Sequence, residues 1–130
     1  MHKLVKIFPA MATRRVELVN CDTGTTDICF DDAALMGWNN FEFMEIGKSY
    51  NCKIVFFGDF VCEKTERSIE PKILNPDVLI GNCHFYEVSV GKDIYYIIHP
   101  KDKSNTITPF YEYTRKDLAQ VDGVVNEKFE

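Results

Sequence analysis

The sequence lacks a long apolar run, an excess of positive charge, a paired-cysteine motif and a good supply of helix formers. No stretch approaches the ~18 uninterrupted apolar residues of a membrane span. Lys3 and Lys6 followed by Ala10-Met11-Ala12 imitate a secretory leader, but Lys6 and Pro9 leave too short an apolar core for one. Lys and Arg total 15 against 20 Asp and Glu, a net charge of −5. That balance argues against sequence-independent nucleic-acid binding, which depends on cations neutralising phosphates, and against anionic membrane surfaces. The five cysteines are odd in number and never spaced Cys-x-x-Cys. They read as reduced, small hydrophobic residues, with one local disulfide as the alternative, so the sequence predicts a cytoplasmic protein. Ala, Leu and Met together number only 15.

What is abundant is strand chemistry. Val, Ile, Thr and the aromatics supply 47 of the 130 residues, types that fit a pleated, half-buried surface. Leu4–Phe8 and Arg14–Cys21 read as strands, and Asp22-Thr23-Gly24 as a tight turn into a third, Thr26–Phe30. Asp31 is placed to cap one helical turn through Ala33, Ala34 and Leu35, ended by Gly37. Ser49–Phe57 is the clearest strand: Tyr50, Cys52, Ile54 and Phe56 alternate, while Val55 and Phe57 make its second half apolar on both faces. Lys64–Pro76 reads as a polar, Pro-punctuated connection. Phe85–Val90 and Ile94–His99 flank a three-residue hairpin loop, Gly91-Lys92-Asp93. Pro100–Asn105 reads as a charged loop and Thr106–Tyr113 as another alternating strand. Thr114 with Asp117 fits a capping box, and Leu118, Val121 and Val125 lie near one helical stripe. This predicts a short C-terminal helix and tail over about 114–130. The expected fold is mainly β, a single domain over 1–130 forming a small antiparallel barrel with one or two short helices.

Glu45-Ile46-Gly47-Lys48-Ser49-Tyr50-Asn51-Cys52-Lys53-Ile54, with Gly81 and His84-Phe85-Tyr86-Glu87-Val88, resembles small uncharacterised bacterial proteins with an OB-like β-barrel. The resemblance spans residues 14 to 99 and implies a fold, not an activity. OB-like sheets stack bases on aromatics, and Tyr50, Phe56, Tyr86, Tyr95 and Tyr96 are the candidates here. The basic groove such binding needs is missing; Arg14-Arg15 and Lys101 to Lys103 are the dense positive sites.

Asp22-Thr23-Gly24-Thr25-Thr26 resembles the catalytic turn of the aspartic proteases. There, two Asp carboxylates share a proton and activate water. A chain of this length resembles the retroviral type, in which a second copy supplies the second Asp. Val78-Leu79-Ile80-Gly81 resembles the element that packs behind that turn. Asn20 and Cys21 depart from the family's aliphatic positions, and the Gly-rich flap is reduced to Gly47. Read from the residues alone, Asp22 is a hairpin-turn residue. Gly47-Lys48-Ser49 ends like a phosphate-binding loop, but Glu42 stands where the first glycine is required. His2, His84 and His99 are far apart in sequence and Cys83-His84 point to opposite faces of a strand, so no metal site and no cofactor are expected.

Charge is also segregated. From Val16 through Gly47 there are seven acidic residues and no Lys or Arg, so the remaining residues carry a net +2. The leading expectation is a non-enzymatic binding or regulatory module that offers this segment to a basic protein partner. Asp22, Asp27, Asp31, Asp32, Glu42 and Glu45 would supply the field, and Trp38 and Phe41 the aromatic anchors. A solvated acidic surface is the plainer reading of the same residues.

Overall fold

The computed structural model describes residues 1–11, 13–33, 40–100 and 108–130. Among the described residues there are eleven strands: β1 (His2–Pro9), β2 (Arg14–Asn20), β3 (Thr26–Asp31), β4 (Ser49–Tyr50), β5 (Cys52–Val61), β6 (Ser68–Ile69), β7 (Lys72–Ile80), β8 (Cys83–Val90), β9 (Asp93–Ile98), β10 (Phe110–Val121) and β11 (Val124–Val125). All belong to one sheet with the order β4-β1-β2-β3-β10-β5-β9-β8-β7, to which β6 and β11 add on β10. The β3–β10 and β5–β9 pairs are parallel and the others antiparallel.

The mainly β expectation holds, but the closed antiparallel barrel does not. The sheet is mixed, and its two ends, β4 and β7, are not hydrogen-bonded to each other. Instead the sheet curls until β1–β3 and β5, β8, β9 and β10 bury one shared core, including Leu4, Leu18, Ile54, Phe56, Val88, Ile97 and Leu118. Apolar burial of these side chains replaces the missing ladder. A second, smaller core lies on the opposite face of β5, β9 and β10, where Val55, Tyr96 and Ala119 meet Ile80, Phe85 and Phe129.

The expected helix at Thr114 is strand. β10 pairs with β5 over ten positions, and a bulge lies between Leu118 and Gln120. An extra residue in a strand reverses its facing. Leu118 and Val121, three apart, therefore enter the same core, which is the spacing that imitates a helical stripe. Asp117 is fully buried and bonded to Arg115 and Lys128 rather than capping a helix. The one helical element near the C-terminus is a 3₁₀ turn, Glu127–Phe129, capped by Asn126. At the other predicted helix, Asp31 accepts the Ala33 N–H at 3.1 Å; the remaining residues of that turn lie outside the described residues.

The expected connection at 64–76 is also corrected, since β7 begins at Lys72 and runs through Pro76. It forms the edge of the sheet, where proline's missing N–H leaves no ladder bond unmade. Bulges flank Asn75 in its pairing with β8.

In β3, Asp27, Cys29 and Asp31 face the core, and Ile28 is 46% exposed. Partners explain this arrangement. Asp27 accepts from Tyr95 Oη at 2.8 Å and Lys116 Nζ at 2.6 Å. Asp31 accepts from Arg14 Nε at 2.7 Å, and the same guanidinium donates to Phe41 O at 2.8 Å, fixing the segment that buries Phe41. Buried carboxylates persist where cations and hydroxyls satisfy them.

Candidate functional site

Tight turns need backbone that ordinary residues resist, and here they gather several glycines at one end of the sheet. Gly24 in the β2–β3 turn has φ 78° and Gly91 in the β8–β9 turn φ 62°; Asp122-Gly123 between β10 and β11 have φ 47° and 86°. At Asp122-Gly123, positive φ at both central positions matches the right-handed twist of a tight hairpin. These turns, the start of β1 and the β4–β5 junction surround a cleft of about 670 Å³.

Side-chain hydrogen bonds fix its rim. Asn20 Oδ1 accepts from the N–H groups of Asp22 and Thr23, at 2.9 and 3.2 Å, which sets the turn. Thr23 Oγ1 and Thr25 Oγ1 then donate to the two oxygens of Asp93, at 2.6 and 2.7 Å, clasping the β2–β3 turn to the start of β9. Across the cleft, Asp122 Oδ1 accepts the Asn51 N–H at 2.7 Å and Asn51 O accepts the Asp122 N–H at 2.9 Å. The walls are thus bound to the scaffold by charge-assisted contacts.

The lining is polar. Lys53 and Lys92 bring positive charge, Asp22 and Asp122 negative, and Asn20, Asn51 and Gln120 amides, beside Tyr96, Ile94 and Cys52. Lys53 Nζ stands 5.6 Å from the Tyr96 ring centre, and Tyr96 Oη donates to Glu87 at 3.0 Å. Burial, followed by the Glu87 hydrogen bond, pushes the Tyr96 hydroxyl up, so it stays protonated and acts as a donor. Burial also pushes the Cys52 thiol up to about 12, which suppresses the thiolate a nucleophile needs. His2, on the same wall, is lowered chiefly by burial and is neutral at pH 7. Its Nδ1 is buried without a hydrogen-bond partner among the described residues. These groups can orient a polar ligand; no activated nucleophile stands among them.

The sequence-selected residues are scattered by the fold. Asp22 sits exposed on the rim of the cleft. Ile80-Gly81, which resembled the element behind a protease turn, instead packs against Phe129, whose carbonyl accepts the Asn82 N–H at 2.7 Å. Asp27 and Asp31 are buried in internal ion pairs, and Asp32 bonds Lys128 and Asn126, both at 2.9 Å. Burial alone would raise Asp32, but those two donors outweigh it and its carboxyl titrates below the usual range. Phe41 is fully buried, so it anchors the chain to itself. Glu42 and Glu45 remain exposed, Glu45 paired with Lys48, and Trp38 lies outside the described residues. Tyr50, Phe56, Tyr95 and Tyr96 are core residues, and the partly buried Tyr86 packs against the larger core.

Lys53, Lys92 and Asp93 were missed. Each is a single charged residue beside a turn or within a strand, and nothing local in sequence signals that turns from distant strands converge. The signal that was present is the set of Gly-containing turns, whose shared end of the sheet follows from strand order. Among the described residues no helix is long and apolar enough to cross a membrane. No family model, curated protein or solved structure matches the chain.

Proposed function

We propose that this chain is a non-catalytic binding module that takes a small polar ligand, anionic at one end, in the cleft between the hairpin turns. The observation that carries the reading is the cleft itself. Its volume of about 670 Å³ falls within the roughly 300–1,000 Å³ of small-molecule sites. Five separate chain segments line it, with hydrogen-bonded walls. Lys53 and Lys92 favour an anionic group, and the amides of Asn20, Asn51 and Gln120 offer neutral donors and acceptors. Burial keeps the Cys52 thiol protonated, which disfavours it as a nucleophile in this cleft.

A thermal-shift screen of small carboxylates and phosphates tests it. A ligand at a hundred times its Kd stabilises the fold by about 2.7 kcal/mol. Lys53→Met combined with Lys92→Met should abolish that shift while leaving the unliganded melt nearly unchanged. A shift that survives in the double variant, or no shift from any anionic compound, refutes the reading.

A second reading keeps the acidic segment as a docking face for a basic protein. Exposed Phe43 and Ile46, beside exposed Glu42 and Glu45, favour it. Glu42→Lys with Glu45→Lys should then abolish capture of that partner without affecting ligand-induced shifts.

A further inference from the structure

The β8–β9 hairpin brings together two imidazoles that are fifteen positions apart in sequence. Val90 pairs with Asp93, leaving a two-residue loop, and each preceding pair steps outward in register to Phe85 opposite Ile98. One step further, the His99 N–H donates to His84 O at 3.1 Å, so these two histidines stand directly across from each other. Their rings lie on one face, stacked 26° from parallel with centres 6.0 Å apart, and His99 packs on Tyr86 at 4.2 Å.

Each ring has one nitrogen tied to an oxygen of β7. His84 Nδ1 lies 2.7 Å from Asp77 Oδ1, and His99 Nε2 lies 2.7 Å from the Pro76 carbonyl. A carbonyl oxygen can only accept, so His99 carries its proton on Nε2, and the carboxylate holds the His84 proton on Nδ1. In the neutral rings, the lone pairs are therefore left on His84 Nε2 and His99 Nδ1. Neither of those nitrogens has a hydrogen-bond partner among the described residues. Metal-binding histidines are held in this way, the outer nitrogen donating to a carboxylate or a backbone carbonyl, which fixes the tautomer and strengthens the inner nitrogen as a ligand.

The spacing fits a chelate. With metal–nitrogen bonds of about 2.0–2.1 Å, two imidazoles on one ion have ring centres about 5 Å apart. The observed 6.0 Å is wider than this, and the stacked rings must also turn until both lone pairs point at one ion; the His84 and Asp77 side chains, 56% and 58% exposed, have open space to turn together.

We propose that His84 and His99 form a two-imidazole site for a divalent first-row transition metal, with Asp77 and the Pro76 carbonyl as its orienting outer partners. Nitrogen donors select nickel, copper or zinc over calcium and magnesium. Water completes the coordination, since no cluster of three or more His, Cys, Asp or Glu side chains gathers around a metal position among the described residues. The site lies on the β7–β8–β9 edge, apart from the cleft, and a bound ion ties the Asn75–Asp77 bulge to the hairpin.

Nickel(II) alone is the probe, because it favours imidazole and the exposed thiols Cys21 and Cys62 would compete for zinc. Calorimetry of the full chain should show one saturable site, and the ring-proton resonances of His84 and His99 should broaden while those of His2 stay sharp. His84→Gln and His99→Gln should each weaken binding at least tenfold. Asp77→Asn should weaken it about tenfold through loss of the outer partner. His2→Gln should leave it unchanged, and unaltered melts of the metal-free variants would show that the fold is kept. Undiminished affinity in the His84→Gln/His99→Gln double variant, broadening of His2 first, or no saturable binding would overturn the proposal.

Discussion

Replacing Lys116 by Met keeps the aliphatic stem and removes the ammonium that neutralises Asp27. The carboxylate is 2% exposed and has two side-chain partners, Lys116 Nζ at 2.6 Å and Tyr95 Oη at 2.8 Å. Removing one member of a buried pair strands the other charge, at a cost of about 3–5 kcal/mol. That is a large part of the roughly 5–15 kcal/mol that holds a domain together. With an m-value of about 1.5 kcal/mol/M, the urea midpoint should fall by about 2–3 M. Removing both charges, as Asp27→Leu/Lys116→Met, should recover part of that loss, because no uncompensated ion remains and only the Tyr95 hydroxyl loses its acceptor, at about 1–3 kcal/mol. The pair also gives a pH signature. Burial by itself would lower Lys116, but its hydrogen bond and attraction to Asp27 outweigh that, and its value is raised above 10.5. Its stabilisation is therefore complete below pH 10.5 and is lost as pH rises through the higher folded value. A single variant that loses less than about 1 kcal/mol, or a double variant no more stable than the single, would refute the account of why Asp27 faces inward.

Gly81→Ala should cost about 3 kcal/mol in urea denaturation, because a Cβ there lies 2.3 Å from the Phe129 carbonyl oxygen at φ +60°. Gly91→Ala, at φ +62° in open space, should cost only about 1 kcal/mol. The folded state resists protonating His2, whose pKa lies below 6.5 mainly through burial. Its contribution is present above that value and lost as pH falls through it, so His2→Gln should flatten the stability profile between about pH 7 and 5. Ile28→Asp should change stability by no more than about 0.5 kcal/mol, whereas Cys29→Asp, one residue along but fully buried, should lose several in the same assay.

Strand chemistry was legible wherever one face was buried and the other wet. Within Ser49–Phe57 the facing is as expected, with Tyr50, Ile54 and Phe56 in the larger core and Val55 and Phe57 in the smaller, but the single strand is broken at Asn51 into β4, paired with β1, and β5, paired with β10 and β9. The signal failed where tertiary partners override polarity. Asp27 and Asp31 look like surface residues in sequence, and only Lys116 and Arg14, distant in the chain, make their burial tolerable. It failed again at Leu118, where a bulge turned a strand's period of two into a spacing of three. The histidine pair depended on one residue of register. With Gly91-Lys92-Asp93 as a three-residue loop, His84 falls opposite Pro100; with the observed two-residue loop it meets His99. The cleft had no local signal because it is a property of strand order.

β10 is the organising strand, paired with β3, β5, β6 and β11, yet it is the last long strand in the chain. On a ribosome, β1–β3 can form a meander as they emerge, but β5 and β3 keep an unsatisfied edge until residues 110–121 follow. Contacts of such long sequence separation form slowly. The nascent protein must therefore carry open sheet edges until β10 is made, and a chain interrupted before residue 110 would present those edges for self-association.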